Sequence, residues 1–128
     1  MINKFETTTD FPIKKIINDE VLIEYSNLRE IVQGGPEIGN LTINGNKVSN
    51  EFFGGPYLYD KDYLYIPKYS KRFFNVGFLL CKINFKNLKI NIISEQKNLF
   101  YLYKLEDGKI YYYEDVAKKK YDCIKINE

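Results

Sequence analysis

The chain has no histidine and no tryptophan, and its two cysteines, Cys81 and Cys123, stand far apart. Histidine is the usual proton carrier near neutral pH and a common metal ligand. Its absence removes serine–histidine and cysteine–histidine nucleophile systems. No apolar run approaches the roughly 20 residues of a membrane span. The longest, Val76-Gly77-Phe78-Leu79-Leu80-Cys81, stops at Lys82. The first ten residues lack an apolar core of signal-peptide length. These absences lead to an expectation of a cytoplasmic protein with no membrane partner, in which both cysteines are reduced core residues. No linker or low-complexity stretch divides the sequence, so residues 1–128 are expected to form one domain.

What is present is aromatic: 12 tyrosines and 9 phenylalanines among 128 residues. Strand signals dominate. Asp107-Gly108 suits a tight hairpin turn, because both central residues need positive φ. Centring the turn there sets Glu106 opposite Lys109, Leu105 opposite Ile110 and Tyr103 opposite Tyr112. Tyr57-Leu58-Tyr59 and Tyr63-Leu64-Tyr65 flank Asp60-Lys61-Asp62 almost as a palindrome. A three-residue loop would pair Tyr59 with Tyr63 and Leu58 with Leu64, with leucines on one face and tyrosines on the other. Pro67 is expected to limit further pairing. Asn44-Gly45-Asn46 allows two registers, with Val48 facing Ile43 or Leu41. A turn at Asn18-Asp19 would set Ile16 against Val21. Residues 73–85 are apolar on both faces through Leu80, as in a central strand, after which Lys82, Asn84 and Lys86 alternate outward. Residues 89–94 and 121–126 complete the strands.

Helix signals are thin. Ser26 is a cap for a turn or two through Gln33, and Glu114-Asp115 followed by Lys118-Lys119-Lys120 suits a short helix dipole. The expected fold is therefore all-β: one antiparallel domain, a sandwich or open barrel built from hairpins, with at most one or two short helices.

Charge is uneven. Residues 1–62 carry ten acids against six bases, and residues 63–128 carry thirteen bases against seven acids. Between Tyr63 and Leu105, Lys68, Lys71, Arg72, Lys82, Lys86, Lys89, Lys97 and Lys104 stand against Glu95 alone. Such a stretch is either the solvent side of amphipathic strands or a polyanion-binding face.

The familiar chemistries find little support. Gly34-Gly35-Pro36 recurs as Gly54-Gly55-Pro56, but proline lacks an amide proton and strand residues follow, which does not make a phosphate-binding loop. Asp60-Lys61-Asp62, Glu106-Asp107 and Glu114-Asp115 are better explained as turns and caps than as cation sites. Tyr69-Ser70-Lys71 sits in what reads as an exposed basic loop. No enzyme activity, metal or cofactor is expected.

The remaining signal is an aromatic face formed by Tyr57, Tyr59, Tyr63 and Tyr65, which is a binding surface if Leu58 and Leu64 point to the core and a buried hairpin if both sides are covered. Tyrosine is favoured at protein interfaces. Glu24, Glu30, Glu37 and Asp60 are the charge partners for a basic protein. Gly34-Gly35-Pro36-Glu37-Ile38-Gly39, Phe53-Gly54-Gly55-Pro56-Tyr57 and Tyr65-Ile66-Pro67, in a small Tyr/Ile/Asn/Lys-rich β chain, resemble the small cytoplasmic immunity proteins of bacterial polymorphic and contact-dependent growth inhibition toxin systems. The resemblance implies a toxin inhibitor that binds one cognate toxin domain, and it lends no site residues. The alternative is a nucleic-acid-binding β module using the basic and aromatic 63–105 stretch.

Overall fold

Turn chemistry sets the first elements of the computed structural model, which describes residues 11–31, 35–72, 75–115 and 117–126. Asn18 and Asp19 adopt φ of 51° and 62° and fold β1 (Lys14–Ile17) onto β2 (Val21–Glu30). The loop takes three residues, so Val21 faces Ile17 and not Ile16. Beside β2 lies β3 (Glu37–Ile43), then β4 (Asn46–Lys47), giving a sheet in the order β1-β2-β3-β4. Asn44 and Gly45 have φ of 52° and 81°, which selects the register with Val48 opposite Leu41.

The expected helical turn from Ser26 does not form. Residues 26–30 stay in β2, which bulges between Ser26 and Arg29 with Asn27 at φ 52°. Asn27 Nδ2 donates to the Oδ1 of Asn40 at 2.8 Å, so this polar side chain finds its partner within the sheet. Across the bulge, a Cβ on Gly39 would lie 2.8 Å from the Ser26 carbonyl oxygen. Only glycine fits there.

The second sheet runs β5 (Leu58–Tyr59), β6 (Tyr63–Arg72), β7 (Asn75–Asn84) and β8 (Ile90–Ile92). The third contains β9 (Tyr101–Glu106), β10 (Lys109–Tyr113) and β11 (Tyr121–Lys125), in the order β11-β10-β9. All pairings are antiparallel. The all-β, antiparallel expectation holds, as three open sheets with no closed barrel. No helix is present among the described residues. Where a helix was expected at 114–120, Asp115 Oδ1 accepts the amides of Lys119 and Lys120 at 3.0 and 3.1 Å, and Lys118 takes φ 59°. That is a turn; Val116 lies outside the described residues.

β6 and β7 form the middle layer. Leu64, Ile66, Cys81 and Ile83 join Ile23, Tyr25, Leu41 and Ile43 of the first sheet in one buried cluster. Tyr65, Phe78 and Leu80 join Leu102, Ile110 and Tyr112 of the third sheet in another. Two buried faces explain why β7 reads as a continuous apolar run. They also correct one expectation: Lys82 does not point outward but is 8% exposed, with Nζ 4.1 Å from the centre of the Tyr63 ring.

Residues 52–54 stitch the first two sheets together. Phe53 exchanges backbone hydrogen bonds with Gly39 of β3, while Phe52 and Gly54 bond Tyr69 and Pro67 of β6. Pro67 does not end β6, contrary to expectation. Its carbonyl accepts the Gly54 amide, and the bond its missing N–H would have returned to Gly54 is replaced by one from the Tyr25 hydroxyl at 2.8 Å. The second Gly-Gly-Pro is thus a packing device. A Cβ on Gly54 would press on Phe78 at 3.1 Å, and one on Gly55 on the Phe11 ring at 2.9 Å. Pro36 lines the same narrow interstice. Gly34 lies outside the described residues.

Both cysteines are free. Cys81 is buried, and that burial pushes its thiol up to about 12.

Candidate binding surface

The Tyr57–Tyr65 hairpin contributes to the buried clusters on both of its faces. Its register is Leu58 opposite Tyr65 and Tyr59 opposite Leu64, one step from the palindromic pairing. Asp60 dictates the shift: its Oδ1 accepts the amides of Asp62 (2.9 Å) and Tyr63 (2.8 Å), and its Oδ2 accepts the Tyr65 hydroxyl (3.0 Å). The tyrosines therefore do not share one face. Tyr57 is buried in the first cluster, Tyr65 is buried in the second, and Tyr63 is half-buried beneath Lys82. Tyr59 alone is exposed, at 37%.

The expected charge partners are also dispersed. Asp60 is committed to its turn and sits beside the β1–β2 loop, where its carbonyl accepts the Asn18 amide. Glu24 lies mid-strand between Lys14 and Thr42. Glu30 and Glu37 face each other at the far end of β2 and β3. These four carboxylates make no common surface with the tyrosines.

The basic 63–105 stretch is likewise spread over several elements. Lys82 is buried, Lys68 pairs with Glu51 at 2.7 Å, Lys97 with Glu114 at 3.9 Å and Lys104 with Glu106 at 2.8 Å. Lys71, Lys86 and Lys89 are exposed, at separate places on the second sheet and its β7–β8 loop. All three of these acid partners come from outside the run, which a count along the sequence misses.

An exposed aromatic face does exist, on the outer side of the third sheet. Asp107 and Gly108, at φ 52° and 72°, make the expected hairpin, with Leu105 opposite Ile110 and Glu106 opposite Lys109. The register then shifts: Tyr112 faces Leu102 and not Tyr103, while Lys104 faces Tyr111 and Tyr113 faces Tyr101. The bulge leaves Tyr103 as the extra residue and turns it outward. Leu102, Ile110 and Tyr112 point to the core, Tyr101 is buried in the same cluster, and the outer face collects Tyr103, Tyr111, Tyr113 and Tyr121.

These rings touch one another. Tyr103 stacks on Tyr113 with centroids 4.5 Å apart and 22° between planes. Tyr111 lies 6.3 Å from Tyr103, and Tyr121 meets Tyr113 edge-on at 6.5 Å. Lys104 Nζ lies 4.9 Å from the Tyr111 centroid, and Lys118 Nζ 4.9 Å from that of Tyr101. Tyr103 is 39% exposed and Tyr121 69%. Partial desolvation and the neighbouring Tyr113 hold the Tyr103 hydroxyl above its ordinary range. The hydrogen bond that Lys104 donates to Glu106, reinforced by the carboxylate's charge, holds Lys104 up as well.

The surface is spread over three paired strands, with Tyr111 and Tyr113 on the central β10 and Tyr103 and Tyr121 on the edge strands β9 and β11. It is also mixed in charge, because Glu106, Asp107, Glu114 and Asp115 interleave with Lys104, Lys109, Lys118 and Lys125. A readable signal for it was the alternation of Tyr101, Tyr103, Tyr111 and Tyr113 about the one unambiguous turn. Among the described residues, no group of three or more Cys, Asp or Glu side chains gathers where a metal ion could be held. Comparison with protein-family models, with curated proteins and with solved structures finds no match.

Proposed function

We propose that this chain is a specific protein-binding inhibitor, an immunity protein that neutralises a cognate bacterial toxin domain, and that it binds through the outer face of the third sheet. The observation that carries this reading is the group of touching rings Tyr103, Tyr111, Tyr113 and Tyr121, of which Tyr103 and Tyr121 are exposed and Tyr111 and Tyr113 half-buried. Tyrosine supplies large contact area at small entropic cost, and interfaces draw most of their affinity from a few such anchors. The resemblance to immunity proteins supplies the kind of partner.

The rings favour a protein over single-stranded nucleic acid. They stack on one another, where a base-binding platform would leave ring faces open. Their charged neighbours carry both signs, where a phosphate track needs one.

The test is co-expression with any toxin domain that the neighbouring genes encode, followed by calorimetry. A one-to-one complex and rescued growth are expected. Tyr113→Ala should weaken the complex by about 2 kcal/mol, roughly 30-fold. No complex and no rescue would end the reading. Salt-sensitive retention of single-stranded RNA, lost when Lys104 and Lys118 are replaced by glutamate, would put the nucleic-acid module in its place.

A further inference from the structure

β11 is the last strand of the third sheet and, among the described residues, is paired on one side only, with β10. The Ile126 amide bonds the Gly108 carbonyl, and the Glu114 amide bonds the Lys120 carbonyl. Antiparallel bonding alternates along a strand. The backbone groups of residues 122 and 124 therefore face β10, and those of Tyr121, Cys123 and Lys125 face away from it. Beside this open edge runs a groove of about 650 Å³, with Ile92, Ile93 and Ile124 among its walls. Ile92, at the edge of the neighbouring sheet, is 51% exposed.

We propose that this edge takes a second copy of this chain, β11 pairing antiparallel with β11 about a two-fold axis at Cys123. The edge is complementary to itself in that register. Its outward backbone groups fall opposite one another: Tyr121 with Lys125 of the second copy, Cys123 with Cys123, Lys125 with Tyr121. Tyr121, Cys123 and Lys125 also share the outer face, so each Lys125 comes to lie beside the most exposed ring of the sheet. That repeats the lysine-over-tyrosine placement that Lys104 and Lys118 already make with Tyr111 and Tyr101. The two tyrosine faces become continuous across a six-stranded sheet. One contact restrains the association: Asp122 Oδ1 holds the Cys123 amide at 2.8 Å, occupying a donor that the pairing would use.

The pairing places two Cys123 Cα atoms about 5.5 Å apart, within the span of a disulfide. This gives a direct test on this chain alone. Diamide takes up the two protons and two electrons that a pair of thiols releases, so a covalent dimer forms without another reagent. The expected result is a mass that doubles with concentration in sedimentation equilibrium and a diamide-linked dimer that Cys123→Ser abolishes and Cys81→Ser does not. Lys125→Pro deletes an outward amide while leaving the bonds to β10 intact, as proline is tolerated on an edge. It should weaken the dimer at least about tenfold. Asp122→Ala, which frees the Cys123 amide, should tighten it. A monomer at every concentration would overturn the proposal. So would a dimer that diamide cannot link through Cys123, or one that a folded Lys125→Pro variant still forms. If Lys125→Pro fails to fold, the diamide and Asp122→Ala arms decide.

Discussion

Two tyrosine-rich hairpins of nearly equal composition have opposite fates. The first, around Asp60, lies in the middle sheet and has its rings under cover except Tyr59 at its margin. The second, around Asp107-Gly108, lies in an outer sheet; it buries Tyr101 and Tyr112 but leaves Tyr103 exposed and Tyr111 and Tyr113 half-exposed on its outer face. Local sequence does not separate them, since both alternate tyrosine with leucine or isoleucine across a polar turn. Layer position separates them. A strand with a sheet on each side buries both of its faces, whatever its pattern, and a strand with one sheet buries only one. Aromatic density along a sequence therefore marks rings, and topology decides which of them a partner can reach.

The largest effect that would break this comparison is at Tyr65. Its ring is fully buried between the middle and third sheets. Tyr65→Ala should cost about 3–5 kcal/mol of stability, as large aromatic truncations in cores do. Urea unfolding reads this directly. A loss below about 1 kcal/mol would mean the first hairpin is not core.

Alkaline titration probes the two sides of the middle layer at once. Burial raises the Cys81 thiol from 9.0 to about 12, and burial with nearby Asp122 and Glu114 raises the Tyr112 hydroxyl from 10.0 to about 12. Both groups are neutral when protonated, and the folded state holds the proton more tightly than the unfolded one. Their contribution is complete below pH 9 for Cys81 and below pH 10 for Tyr112, and it is lost as pH climbs toward 12. By pH 10.5 the Cys81 contribution should have fallen by about 2 kcal/mol. Cys81→Ala should flatten the stability curve between pH 9 and 10.5, and an unchanged slope would contradict the assignment.

Tyr65→Phe separates ring from hydroxyl. It keeps the buried ring and removes the bond to Asp60 Oδ2. The expected cost is about 1 kcal/mol. The same substitution at Tyr113 should leave stability unchanged.

The turns were the legible part of this fold. Asn44-Gly45 and Asp107-Gly108 place positive φ where glycine and its neighbour allow it, and both hairpins formed on those pairs. The central character of β7 was legible from its unbroken apolar run. Register was legible only near the turns. At Asp60 a carboxylate that caps two amides and a tyrosine hydroxyl moved the pairing by one, and at Tyr103 a bulge did the same. A shift of one residue reverses which face each side chain takes, so both errors fell on the tyrosines that mattered most. Pairing of distant charges, such as Lys68 with Glu51, depends on the stitch through residues 52–54, which no local pattern announces. The candidate surface was thus visible as residues and invisible as a surface.

The smallest effect is expected at Tyr121, and it sharpens the comparison most. This ring is 69% exposed and touches Tyr113 edge-on at the margin of the sheet. An exposed cross-strand aromatic pair contributes a few tenths of a kcal/mol. Tyr121→Ala should therefore change folding stability by no more than about 0.5 kcal/mol. On the proposed reading, the use of this ring lies in partner binding and not in the fold. The same variant should weaken partner binding by well more than it weakens the fold, since an anchor desolvated at an interface is worth far more than the same ring in water. Denaturation and titration on one preparation give both numbers. Equal losses in the two measurements would place Tyr121 in the structure and remove it from the surface.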